Sequence, residues 1–389
     1  MAKVASFINV SDQNNNKVYR MTENSDNTFT AEWGRVGNKL STKVYPMSEW
    51  DSTIKTRLKH GYADVTSHMA VSANDKSLNI KEPEVKKLID FLMKAAKKTL
   101  SDSYLGSVRD VTQKQIDAAQ DVLDKLAKVQ AKGSFTVEEA NVLLLELYRT
   151  IPRKMADTRN YILQAKDAKF FGGLLTNEQN LLNTLSTQTV VSQTTSEAIT
   201  LESLGFDVEI ASQADRDRIA KETDFKVSNQ KIFKVTNKAT EKVFRKDLKA
   251  KLLYHGSKNF NWLSILMNGL KIRPQGVQCT GSMFGDAIYG ADKAIKSIGY
   301  TSLQGSCWAN GKETKAYLAI FEFAVGKTWN VLSKGSRYNG SMSSLDMAKV
   351  KGHGCDSVFA EGGADLRNNE YMVYTAEQCT IRYLIELTA

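Results

Sequence analysis

Three kinds of apolar spacing follow one another along this chain, and no single layer of secondary structure accommodates all three. Between residues 81 and 185 the apolar side chains recur three and four apart, as on one stripe of a helix. Val85, Leu88, Ile89, Leu92, Met93 and Ala96 form one such stripe. Ile116, Ala119, Leu123 and Leu126 form a second, and Leu143, Leu144, Leu147 and Tyr148 a third. Before that stretch, Lys17-Val-Tyr-Arg-Met21 and Phe29-Thr-Ala-Glu-Trp33 read as strands. After it, Ile232-Phe-Lys-Val-Thr236 alternates, and Ala316 to Val325 and Ile381 to Leu387 are longer strands. These are interleaved with helical patterns over 214–221 and 260–270. The expected fold class is multidomain α+β, and 389 residues suit two or three domains. Residues 1–75 form a small sheet-plus-helix domain, 76–190 an all-α bundle and 191–389 a mixed α/β domain.

Local signals sharpen those limits. Ser48 caps a helix running to His60, and Pro83 occupies a first helical turn. Thr112 with Gln115, Thr136 with Glu139 and Thr176 with Gln179 have the spacing of capping boxes, and Gly133 and Pro152 are stops. Lys154 to Phe171 is less regular. Ser186 to Ser196, rich in Ser, Thr and Gln, reads as a linker, and the six glycines of 333–363 make that stretch largely loop. The net charge of +10 is spread along the chain, which suits a polyanionic partner but equally a solvated basic surface. The four cysteines lack the paired spacing of a zinc site. There is no apolar leader and no run long enough to span a bilayer, so no metal or membrane partner is expected. An intracellular, thiol-reduced protein follows, nuclear in a eukaryote and cytoplasmic in a prokaryotic or viral setting.

The chemistry concentrates in three short runs. Leu253-Tyr-His-Gly-Ser257 is a buried strand ending in a turn that exposes an imidazole, a hydroxyl and a free backbone edge. Ser282-Met-Phe-Gly-Asp-Ala-Ile-Tyr289 is followed by Tyr300, whose ring offers a flat face to another aromatic. Asn368-Asn-Glu-Tyr-Met-Val-Tyr374 is a strand that opens with a carboxylate, and Glu is rare in such a half-buried strand. Gly256, without a side chain, leaves its N–H and C=O free to pair with a carboxamide.

His255, Tyr289 and Glu370, in this order and context, resemble the triad of the poly(ADP-ribose) polymerases, NAD-consuming ADP-ribosyltransferases. Trp33-Gly-Arg-Val-Gly37 is similar to the signature of the WGR domain, and Gln113 to Ala119 with Leu147 to Pro152 resembles the family's autoinhibitory helical regulatory domain. The resemblance implies that Tyr300 stacks on the nicotinamide and Ser297 donates to its amide, while Tyr289 packs opposite. His255 and Ser257 hold the adenine-side ribose, Arg273 faces the adenine end, and Lys296 belongs to the same NAD-binding set. Glu370 bonds the nicotinamide ribose and stabilises the developing cation. Trp33 and Arg35 are the implied DNA-binding residues, Trp33 stacking on a sugar at a strand end and Arg35 bridging to other domains. The expected function is DNA-break-stimulated polymer synthesis on protein acceptors, the chain itself included, in response to DNA damage. NAD is then substrate rather than cofactor, consistent with the lack of a Gly-x-Gly-x-x-Gly turn after a strand. A mono-ADP-ribosyltransferase acting on protein or nucleic-acid ends, or a non-enzymatic DNA-end scaffold, are the alternatives. Gly290 stands where relatives usually carry Phe, and Asp286-Ala287 replaces a common Lys-Gly pair.

Overall fold

An antiparallel meander opens the chain in the computed structural model, which describes residues 2–66, 78–104, 111–194, 199–272 and 283–389. Strands β1 (Val4–Ser11), β2 (Asn15–Glu23), β3 (Thr28–Arg35) and β4 (Ser41–Pro46) are followed by helix α1 (Trp50–Lys59) and the short β5 (Ala63–Asp64). The strand order is β4-β3-β2-β1-β5. β1 has no clean alternation, which is why periodicity alone overlooks it: it lies inside the sheet, with four consecutive residues buried. Phe7, Tyr19, Met21 and Phe29 form the core, and Trp50 of α1 meets Phe29 edge-on at 5.2 Å. Each such burial is worth about 1.5–3 kcal/mol. Ser48 is not the cap of α1; it lies within a 3₁₀ turn, Met47–Glu49, that leads into the helix.

Four longer helices follow: α2 (Pro83–Ser103), α3 (Gln113–Ala131), α4 (Val137–Thr150) and α5 (Ala168–Gln193). The Thr112–Gln115 capping box is formed in both directions, and Thr136 accepts from the N–H of Glu139. Two expectations fail on α5. Thr176 lies inside it rather than at its start; Asp167 provides the cap by accepting from the N–H of Phe170 at 2.9 Å. The supposed linker from Ser186 is helical as far as Gln193, because Leu185, Thr187, Gln188, Thr189 and Val191 are buried there and packing overrides a weak helix composition.

The C-terminal part contains β6 (Phe206–Ile210), α6 (Gln213–Glu222), β7 (Ile232–Asn237), α7 (Lys238–Val243), β8 (Ala250–Gly256), α8 (Trp262–Asn268), β9 (Ile288–Gly290), α9 (Ala294–Ile298), β10 (Lys315–Ala324), β11 (Thr328–Leu332), α10 (Met347–Gly352), β12 (Ser357–Ala360), β13 (Glu370–Val373) and β14 (Cys379–Thr388). The glycine-rich stretch 333–363 is therefore not all loop, since α10 and β12 lie in it. Among the described residues one sheet has the order β6-β7-β14-β10-β8 and a second β11-β12-β13-β9. Tyr254 joins them by exchanging both backbone hydrogen bonds with Ala291, at 2.8 and 3.0 Å. The buried faces of β10 and β14 carry Leu318, Ile320, Tyr383 and Ile385.

The chain divides into two units, one of residues 1–75 and 97–193, the other of 76–96 and 194–389. The boundary falls within α2. Its part up to Ala96 belongs to the second unit, where Phe91 meets Tyr317 edge-on at 5.7 Å and Glu84 pairs with Lys231.

Candidate active site

β8 ends at the point where the two C-terminal sheets meet, and this places the first two site residues. His255 precedes Gly256, the last residue of β8. The Nδ1 of His255 lies 3.2 Å from the carbonyl of Tyr289. A carbonyl only accepts, so Nδ1 carries the proton and Nε2 is left as an acceptor. Burial lowers the pKa of His255, with the bond to Tyr289 opposing, so the imidazole is neutral at pH 7. Gly256 is required by proximity: a Cβ there would lie 1.8 Å from the carbonyl oxygen of Ser297 and 3.2 Å from Cβ of Tyr300. The backbone edge expected to grip a carboxamide therefore lies directly beside Ser297 and Tyr300.

Tyr289 is on β9 opposite Met372 of β13, and its hydroxyl is engaged within the fold. It donates to the carbonyl of Gly285 at 2.8 Å and accepts from the N–H of Phe284 at 3.0 Å. Tyr289 thus braces the turn with its ring packed against the core that holds Phe284 and Met372, and burial raises its pKa well above that of a free phenol. Gly290, the departure from the family pattern, has a local cause. A Cβ there would lie 2.8 Å from the ring of Phe323 and 3.0 Å from Cβ of Leu253, so side chains from β10 and β8 fill the space.

Glu370 opens β13 opposite Ala360 and is 8% exposed. The Nζ of Lys296, on α9, lies 2.6 Å from its Oε1. Burial pushes the Glu370 carboxyl above its ordinary range, and Lys296 pulls it back. The carboxylate is held in low dielectric beside one cation, where its charge acts strongly on anything adjacent. Tyr300 feels it: burial and then the charge of Glu370 push the phenol up to about 12. Ser297 is buried, and its hydroxyl donates to the carbonyl of Tyr254 at 3.0 Å, so the donation expected toward an amide is directed at the strand instead. The Oγ of Ser257 accepts from the side chain of Asn261 at 3.0 Å. Arg273 lies outside the described residues.

Sequence reasoning missed Asn369. Its Oδ1 accepts from the N–H of Gly362 at 2.8 Å, and its Nδ2 donates to Asp292 at 2.7 Å. It ties the residue before Glu370 to the turn that follows β9, and a polar neighbour beside a buried carboxylate was the available signal. Among the described residues no group of His, Cys, Asp and Glu could hold a metal ion, and no helix is long and apolar enough to cross a membrane.

In the N-terminal unit, Trp33 is half-buried and its ring stacks on Tyr19 at 5.9 Å. Arg35 donates to the backbone and side-chain oxygens of Asn14 at 2.9 and 2.6 Å and to the carbonyl of Met155 at 3.3 Å. Asn14 Oδ1 also accepts from the N–H of Thr158 at 3.0 Å, and buried Asn16 donates to the carbonyl of Arg153 at 2.9 Å. The run Asn14-Asn-Asn16 therefore links the first sheet to the segment between α4 and α5.

Residues 208–389 match the family model of the poly(ADP-ribose) polymerase catalytic domain. The chain is 31% identical over 166 residues to the putative poly [ADP-ribose] polymerase-like protein 100L of Invertebrate iridescent virus 6, covering 41% of this chain and 85% of the viral one. It is 32% identical over 188 residues to protein 101L of the same virus, covering 48% and 78%. With human poly [ADP-ribose] polymerase 2 it shares 29% identity over 187 residues, 42% of this chain and 31% of the human one. The chain thus spans about a third of the human relative's length, against most of the viral ones. With this match, and with His255, Tyr289 and Glu370 inside the matched segment, the chain belongs to the poly(ADP-ribose) polymerase family of NAD-dependent ADP-ribosyltransferases.

Proposed function

We propose that this chain transfers ADP-ribose from NAD to protein acceptors, itself included, builds polymer, and is stimulated by DNA ends. The observation that carries the reading is the buried Glu370 carboxylate, ion-paired to Lys296 beside Gly256, Ser297 and Tyr300. The bond between the ribose anomeric carbon and the pyridinium nitrogen breaks, and its electron pair leaves with neutral nicotinamide. The ribose acquires oxocarbenium character, and an acceptor oxygen then bonds to the anomeric carbon and releases its proton. Glu370 bonds the ribose hydroxyl, stabilises that positive charge and polarises the incoming nucleophile. His255 accepts a hydroxyl of the adenine-side ribose through Nε2, Gly256 pairs with the carboxamide, and Tyr300 stacks on the pyridine ring. Arg273 serves the adenine end.

For the DNA response, Trp33 stacks at a strand end and Arg35 relays the event to the helical segment, which restrains activity until then. The bond from Arg35 to Met155 supports this relay. The test is incubation with NAD, with and without a nicked duplex, reading nicotinamide release and product length on a gel. The reading expects release that rises with nicked DNA and a ladder of products. A single added unit would make the chain a mono-transferase, and no release under either condition would reject catalysis.

A further inference from the structure

Trp308 is 61% exposed, an unusual setting for the largest apolar side chain, and it does not stand alone. Its ring stacks on Tyr300, with centroids 6.1 Å apart and planes 20° from parallel. The backbone holds it there: the N–H groups of Trp308 and Ala309 both donate to the carbonyl of Gly299, at 2.9 and 3.0 Å. Gly299 leaves the space the indole uses, since a Cβ there would lie 2.8 Å from its Cδ1. The surrounding loop is closed by Ser306, whose hydroxyl donates to the carbonyl of Thr301 and accepts from the N–H of Gly311, both at 2.8 Å.

We propose that Trp308 is a positioning residue for the nicotinamide end of NAD, backing the ring of Tyr300 so that a partly exposed phenol becomes a fixed wall. The proposal rests on the stacking role given to Tyr300 above. Tyr300 is 36% exposed, so without a stacked neighbour the exposed part of its ring must be ordered when the ligand arrives. A stacked indole orders it beforehand, at low entropy cost because Trp has two side-chain torsions. No other aromatic ring among the described residues is stacked on Trp308.

The test is calorimetric binding of nicotinamide to the full chain. Trp308→Ala should weaken binding roughly three- to tenfold, and Trp308→Phe, which keeps a ring, should stay within about twofold. Tyr300→Ala should weaken it about tenfold or more, and adding Trp308→Ala to Tyr300→Ala should cost nothing further, because the indole acts through the phenol. In turnover, Trp308→Ala should raise KM for NAD and leave kcat nearly unchanged. Unchanged affinity in Trp308→Ala alongside a loss in Tyr300→Ala would overturn this inference and spare the reading of the pocket. Equal losses from Trp308→Ala with and without Tyr300 would also overturn it. Unchanged affinity in Tyr300→Ala would reject both.

Discussion

Each unit of this protein buries a glutamate against a cation, and the two pairs are built differently. Lys296 and Glu370 lie 2.6 Å apart with side chains 12% and 10% exposed, and the charge of Glu370 reaches Tyr300. Arg153 and Glu178 lie 3.3 Å apart, 5% and 3% exposed, among Tyr104, Tyr148 and Tyr161. Burial raises the carboxyl pKa in both, with the cation opposing. In the first, surrounding groups can engage a ligand. In the second, the guanidinium sits over the rings of Tyr104 and Tyr161. In the proposed function the same chemical pair serves catalysis in one unit, while in the other it lies among the helices, where the backbone of Arg153 also receives Asn16.

Breaking the structural pair should have the largest effect on stability. Glu178→Ala leaves a buried guanidinium without its carboxylate and should cost about 3–5 kcal/mol. The double change Arg153→Met with Glu178→Leu should recover most of that or exceed the wild type, as read by denaturant unfolding. If Glu178→Ala unfolds at the wild-type midpoint, the pair does not order the helices.

The pair of Lys296 and Glu370 is tested through pH. Because the folded pKa of Glu370 is raised, the activity that needs its charge is lost as pH falls through that raised value, above the usual carboxylate range. Lys296→Met removes the opposing cation, so the acid limb of kcat/KM should move to higher pH. The stability difference between variant and wild type should widen as pH rises and the unpaired carboxylate ionises. An acid limb that does not move would show that Lys296 leaves Glu370 unaffected. The smallest effect belongs to a cap: Thr112→Ala should cost about 1 kcal/mol of unfolding free energy, with NAD affinity unchanged by calorimetry. A loss in affinity instead would tie that helix end to the donor site.

The comparison also separates what a sequence discloses from what it withholds. Thr112 with Gln115 was legible because a cap is local, and the strands around Ile232 and Ala316 because their patterns are. Thr176 misled because the same spacing also occurs inside a helix, and Ser186 to Gln193 because composition favours a linker while buried neighbours decide for helix. Of the candidate site, His255, Gly256, Tyr289 and Glu370 stand out in short runs of sequence. The pairing of Lys296 with Glu370, and that of Arg153 with Glu178, does not, because residues far apart in the chain meet only after strands and helices have packed. Trp308 gave no signal before Tyr300 was seen beneath it.

The central claim is that the charge of Glu370 serves the transition state. The most direct measurement is nicotinamide release from NAD by Glu370→Gln, with NAD binding followed by calorimetry on the same sample. Glutamine keeps the size and hydrogen bonding of the side chain and removes its charge. Release should fall about 10²–10³-fold while NAD affinity stays within a few-fold, because the charge acts on the developing cation more than on bound NAD. Release at the wild-type rate, with polymer still elongating, would contradict the account.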